Sequence, residues 1–77
     1  MPTILKVEGY RFFFYSNDHP PPHVHVEQGD AVGKWTLDPV EVVGTRDFTP
    51  GQARQAKLLI IRHRELFLER WHEFFKR

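Results

Sequence analysis

The stretch Thr49-Pro50-Gly51-Gln52-Ala53 divides the chain into two parts of different periodicity. Threonine is a natural N-cap. Proline suits the first helical position, where its missing N–H would have no partner, and glutamine three residues after the threonine completes a capping box. No proline or glycine follows Gly51. The pattern therefore predicts one long helix running to about residue 75, roughly 40 Å at 1.5 Å per residue. Upstream, short apolar runs alternate with turn signals. Residues 4–7, 10–15, 23–27, 32–37 and 40–45 read as strands, separated by turns at Glu8-Gly9, Gln28-Gly29-Asp30 and Asp38-Pro39. Residues 16–22 form a loop, because three consecutive prolines cannot donate to a sheet ladder. The expected fold class is α+β: a small antiparallel β-meander of four to five strands packed against one long C-terminal α-helix. It forms a single domain over 1–77, with the sheet in 1–48 and the helix in 49–77.

The chain has 77 residues and no cysteine, which excludes a disulfide framework and cysteine-based zinc or iron–sulfur sites. A domain of this size has a thin core and little room for a large cofactor. The longest apolar runs, 12–15 and 58–61, fall far short of the roughly 20 residues that span a bilayer, and the N-terminus lacks the features of a signal peptide. The expectation is a soluble, cytoplasmic protein without a membrane partner. The net charge of +1 conceals an asymmetry: residues 1–51 carry four basic and seven acidic side chains, residues 52–77 seven basic and three acidic. A basic helix can meet RNA, DNA or an acidic protein; it can equally be a solvated face laced with Glu/Arg pairs.

Alternation separates two faces of the predicted sheet. Tyr10, Phe12, Phe14, Val24, Val26, Trp35 and Leu37 make one apolar face for the helix to cover. Arg11, Tyr15, His23, His25, Glu27, Lys34 and Thr36 collect on the other. On the helix, Ala53, Ala56, Ile60, Phe67, Trp71 and Phe74 form the inward stripe, with Leu59, His63 and Leu66 beside it. A second row, Ile61, Leu68 and Phe75, exceeds what so small a sheet covers readily. It predicts a homodimer or a partner protein, unless the first strand takes it up.

The chemistry concentrates in Asp18-His19-Pro20-Pro21-Pro22-His23-Val24-His25, where the His-Val-His unit sets two imidazoles on one sheet face, about 7 Å apart along the strand. Three readings stay open. His23 and His25 act as general acid and base on a phosphodiester, with Arg11 or Lys34 stabilising charge and no cofactor needed, since RNA supplies its own nucleophile. Alternatively His23 and His25, with His19 or Asp18, hold zinc or a similar divalent ion, His19, His23 and His25 being the all-imidazole set. Or the histidines are structural and bond to the loop backbone. His63 and His72 belong to the helix, as edge-of-core and surface residues.

At this motif the chain resembles the bacterial domain-of-unknown-function family 4160. Met-Pro-Thr-Ile at the start, Gly9 with the strand that follows, Asn-Asp-His-Pro-Pro-Pro-His-Val-His-Val, and the helical His63-Arg64-Glu65-Leu66 and Glu69-Arg70-Trp71 carry the likeness. The row of three prolines has one more than the family's signature. The resemblance marks Asp18, His19, Pro21, Pro22, His23 and His25 as signature positions and Trp71 as a packing residue. It implies a small cytoplasmic bacterial protein with a protein partner. Members often stand beside members of family 2442, which suggests an antitoxin-like partner and toxin–antitoxin-type modules. The expected function is such an interaction module, with metal-independent RNA cleavage by His23, His25 and Arg11 as its enzymatic form. The alternatives are a metal-binding accessory protein or a non-catalytic regulatory module.

Overall fold

The computed structural model describes residues 3–76. Met1, Pro2 and Arg77, which the resemblance and the expected helical half include, lie outside the described residues. Five strands follow one another along the chain: β1 (Thr3–Val7), β2 (Tyr10–Phe13), β3 (His23–Gln28), β4 (Ala31–Thr36) and β5 (Val42–Arg46). They pair in the order β1-β2-β3-β4-β5, every pair antiparallel, so the meander expected from the regular turns is the observed topology. Glu8 and Gly9 both take positive φ in the first turn and Gly29 does so in the next, a conformation that glycine adopts without steric cost. Strand β2 stops two residues short of the expected end, because the chain peels away to close a turn between Tyr15 and Asp18. Strand β5 starts two residues late, because Thr36 holds the preceding loop through its hydroxyl and its N–H.

The face predicted to be apolar is the core. Tyr10, Phe12, Phe14, Val24, Val26, Trp35 and Leu37 are all buried in one cluster with Ala56, Leu59, Ile60, Phe67 and Trp71 from the helical half. The capping box forms as predicted: Gln52 N–H donates to Thr49 Oγ1, and Thr49 N–H donates to Gln52 Oε1.

The helical half departs from expectation. It is two helices, α1 (Pro50–Arg62) and α2 (Arg64–Phe75), separated at His63, whose torsions (φ −106°, ψ 18°) leave the helical region. No proline or glycine stands there, so the break comes from packing rather than local propensity. A straight rod of about 40 Å would exceed the body's longest extent of 34 Å. Directly after the break, Arg64 Nε donates to the Leu37 carbonyl at 2.6 Å and its guanidinium meets Asp38 at 2.8 Å, tying α2 to the end of β4. The stripe shifts accordingly. Phe74 is 44% exposed, while Phe75 packs on Trp71 with ring centroids 4.1 Å apart. The surplus row divides: Leu68 and Phe75 pack against the core, and Ile61 stays exposed with Leu58 beside it. Among the described residues, no helix is long and apolar enough to cross a membrane.

Gly33 marks the closest approach in the core. A Cβ there would lie 2.6 Å from Trp35 Cζ3 and 3.0 Å from Phe48 Cε2. Trp35 is almost wholly buried and has nowhere to go. Gly33→Ala is expected to destabilise the fold by about 1–3 kcal/mol through overpacking, seen as a lower urea midpoint at unchanged slope. An unchanged midpoint would show that the ring layer yields more easily than its packing implies.

Candidate functional site

The open face of the sheet is ordered in cross-strand rows. Arg11, Glu27, Val32 and Arg46 stand side by side, and Phe13, His25, Lys34 and Gly44 form the next row. His23 faces Thr36 one row further along. Alternation thus sets His23 and His25 on one face as expected, with ring centroids 5.2 Å apart. It does not keep both outward. His23 is only 4% exposed, and its ring lies 4.9 Å from that of Trp71. At the start of β3 the aromatic layer of α2 reaches the sheet's end and closes over the ring, a contact set by α2's placement and not by strand period.

Three groups hold the loop side of the site. Tyr15 N–H donates to Asp18 Oδ2 at 2.9 Å, and Asp18 N–H donates to the Tyr15 carbonyl at 3.1 Å. This is the local side-chain-to-backbone turn that aspartate favours. It occupies one carboxylate oxygen and leaves Oδ1 facing the strand. His23 Nε2 and His25 Nε2 each lie 3.2 Å from that Oδ1. His23 Nδ1 stands 2.9 Å from the Pro21 carbonyl. A carbonyl only accepts, so Nδ1 carries the proton. In the neutral ring Nε2 is then a bare lone pair, and it is a buried nitrogen with no hydrogen-bond partner among the described residues. His25 is oriented by aromatics, stacked on Phe13 at 5.5 Å and edge-on to Tyr15 at 4.6 Å.

The electrostatics favour an ionised Asp18 beside a His25 ring held toward its neutral form. Burial pushes the Asp18 carboxyl upward, but the Tyr15 N–H and the imidazoles outweigh it and hold it below the usual carboxylate range. Burial lowers His25, with the charges of His23 and Lys34 adding to it against the opposing pull of Asp18.

The structure brings together part of each residue set read from the sequence. His23 and His25 meet, and the third member of the cluster is Asp18, not His19: one ligand atom from each of Asp18, His23 and His25 lies within 4.8 Å of the others. His19 is exposed, on the rim of the adjoining concavity. Arg11 is engaged elsewhere. Its Nε donates to Glu27 at 3.0 Å, Nη1 donates to Thr3 Oγ1 at 2.9 Å, and its guanidinium carbon lies 4.1 Å from the Phe13 ring centroid. That hydrogen bond lowers the Glu27 carboxyl. Phe13 shares this face by alternation with Arg11 and Tyr15, but it is buried beneath Arg11, Tyr15 and His25. Asp18's central place had one local signal, the aspartate three residues after Tyr15 in a turn-forming run. His63 packs loosely against Phe67 and His72 is exposed, both away from the cluster as expected.

A five-stranded antiparallel sheet backed by two helices, with two imidazoles and one carboxylate meeting where the proline loop enters β3, defines a small α+β domain with a histidine–aspartate site. The chain belongs to the family described as domain of unknown function (DUF4160), whose model matches residues 9–72, a span that contains the whole cluster and Trp71. No curated protein and no solved structure matches the chain.

Proposed function

We propose that this domain binds one divalent first-row transition-metal ion through Asp18 Oδ1, His23 Nε2 and His25 Nε2. The observation that carries this reading is the buried, unpartnered Nε2 of His23. The Pro21 carbonyl fixes Nδ1 as the donor, so in the neutral ring the Nε2 lone pair faces an ionised carboxylate oxygen 3.2 Å away. Two acceptors in that position repel unless a cation or a proton lies between them. Ligand atoms about 2.0–2.2 Å from a tetrahedral ion stand roughly 3.3 Å apart, close to the 3.2 Å from Asp18 Oδ1 to each imidazole. The Pro21 carbonyl on the far nitrogen of His23, and the Tyr15 N–H on the far oxygen of Asp18, are the outer contacts that orient metal ligands. Three protein ligands leave a coordination position for water or substrate, as in catalytic rather than closed structural sites.

Titrating Co²⁺ into metal-free, untagged protein is expected to raise a visible d–d absorption that saturates at one ion per chain. Zn²⁺ should displace it, with a Kd of about 10 µM or tighter, equivalent to about 7 kcal/mol. No saturable absorption and no binding heat at ten times that concentration would overturn the reading.

A second reading is supported by the two titratable rings 5.2 Å apart: His23 and His25 as general acid and base for RNA cleavage in a toxin–antitoxin-type module. It requires substrate to reach a ring that Trp71 covers and Arg11 to leave Glu27. RNA cleavage by the protein in excess EDTA, lost in His25→Ala, would favour it over the metal.

A further inference from the structure

Two concavities meet at the cluster, one on each side of Lys34. The smaller, about 420 Å³, contains Asp18 and His23; the larger, about 520 Å³, runs over His25, Tyr15 and Gly44 to Arg46. Each lies in the size range of small-molecule sites. Lys34 sits directly opposite His25 in the β3–β4 register and opposite Gly44 in the β4–β5 register. Neither Lys34 nor Arg46 forms an ion pair among the described residues, whereas Glu27, the carboxylate of the larger hollow, is bonded to Arg11. The hollow therefore has uncompensated positive charge. It also has an exposed aromatic wall: Tyr15 is 43% exposed, its ring set edge-on to His25. Gly44 leaves the floor open, since a Cβ there would meet nothing within 4 Å.

We infer that this groove binds a nucleoside phosphate, with its phosphate at Lys34 beside the Asp18–His23–His25 centre and its base against Tyr15 in the larger hollow. The inference rests on the metal reading only for the phosphate's second contact; the cations, the aromatic wall and the open floor belong to the groove itself. A phosphate suits two free cations and an open metal position together. A flat base suits the aromatic wall, because every nucleobase offers a π-face to stack. An acidic side chain would satisfy the cations and leave Tyr15 unused. The same chemistry is presented by a free mononucleotide and by a single strand, and the hollow on the far side of Lys34 is where a strand would continue.

The test titrates wild-type protein, with and without Zn²⁺, with inorganic phosphate, adenosine, AMP and a six-residue adenylate strand, reading heat and intrinsic tryptophan fluorescence. AMP is expected to bind at least about tenfold more tightly than phosphate or adenosine alone, one tenfold step being a modest gain for a second contact. Lys34→Ala should weaken AMP about tenfold, and Tyr15→Ala about five- to a hundredfold. Gly44→Trp should block the groove, while circular dichroism and the Co²⁺ absorption stay unchanged. A strand that binds more tightly than AMP identifies the polymer as the natural source; equal binding identifies the nucleotide. A normal Co²⁺ absorption with no AMP binding at millimolar concentration overturns the groove and leaves the metal standing. AMP binding that depends on Lys34 and Tyr15 in a protein that takes no metal supports the groove and removes the metal. Phosphate and AMP binding equally, with Tyr15→Ala silent, overturns the nucleoside part.

Discussion

His23→Ala is expected to lower affinity for Zn²⁺ or Co²⁺ at least about 100-fold, since loss of even an outer contact to a metal ligand costs 10- to 100-fold. The effect is readable as stability. At a free-metal concentration 100 times Kd, the wild-type protein gains about 2.7 kcal/mol. For a domain of this size that is a rise in Tm of roughly 10–20 °C. The variant at the same concentration should gain only about 0.4 kcal/mol, a shift of roughly 2–3 °C. Asp18→Asn should behave similarly. It can keep the turn with the Tyr15 N–H but loses the charge that faces both imidazoles. His19→Ala should change nothing, because His19 lies outside the cluster. This last comparison separates the two ligand sets left open by the sequence, the all-histidine set and the one with Asp18, of which the structure brings together the second. A metal-induced shift that survives His23→Ala, or one lost in His19→Ala, would move the site elsewhere in the loop.

Trp71→Ala is expected to be the most destabilising single truncation in α2, at about 3–5 kcal/mol. A domain of 77 residues has about 4–12 kcal/mol in total, so the loss removes a large share of the stability and unfolds the variant outright if the total lies at the low end of that range. The indole joins three parts of the fold. It packs edge-on to Phe14 at 5.4 Å, against Phe75 at 4.1 Å, and over His23 at 4.9 Å. Trp71→Phe keeps much of the apolar volume and should fold. Its metal affinity should nonetheless drop, because the smaller ring leaves the wall of His23 loose. Urea denaturation of both variants, with the Co²⁺ absorption of the phenylalanine form, checks this. A urea stability for Trp71→Ala within about 1 kcal/mol of wild type, smaller than the range for buried large-to-small changes, would mean that α2 is not held on the sheet through this residue.

The site and the core depend on each other through that contact. One imidazole of the cluster is a wall residue of the hydrophobic layer, so the His23 nitrogen is kept from water by the same indole that closes the core. Burial on one side, a backbone carbonyl on the other and a carboxylate in front leave the ring a single orientation. That is the preorganisation a binding site needs, since a group already held in place loses little freedom when its ligand arrives.

Strand order, the core face and the start of the helical half were all legible in residues near one another in sequence. Phe12, Val24 and Trp35 identify their face by alternation alone, and Thr49 with Gln52 marks the helix start within a single turn. The same alternation put His23 beside His25. It could not show that Trp71, 48 positions further on, would cover one ring and not the other. Nor could it turn Asp18 Oδ1 toward both imidazoles, which depends on how the loop after Tyr15 crosses the end of the sheet.

Local chemistry by itself therefore determined the meander, its apolar face, the capping box and the two histidines as neighbours, because each follows from torsional preference and side-chain period over a few residues. Only the tertiary structure decided the break at His63, the exchange of Phe74 for Phe75 in the core, the withdrawal of Arg11 to Glu27 and the choice of Asp18 over His19. Those outcomes depend on distances between segments far apart in the chain, where packing against a fixed sheet outweighs local preferences worth a fraction of a kcal/mol per residue.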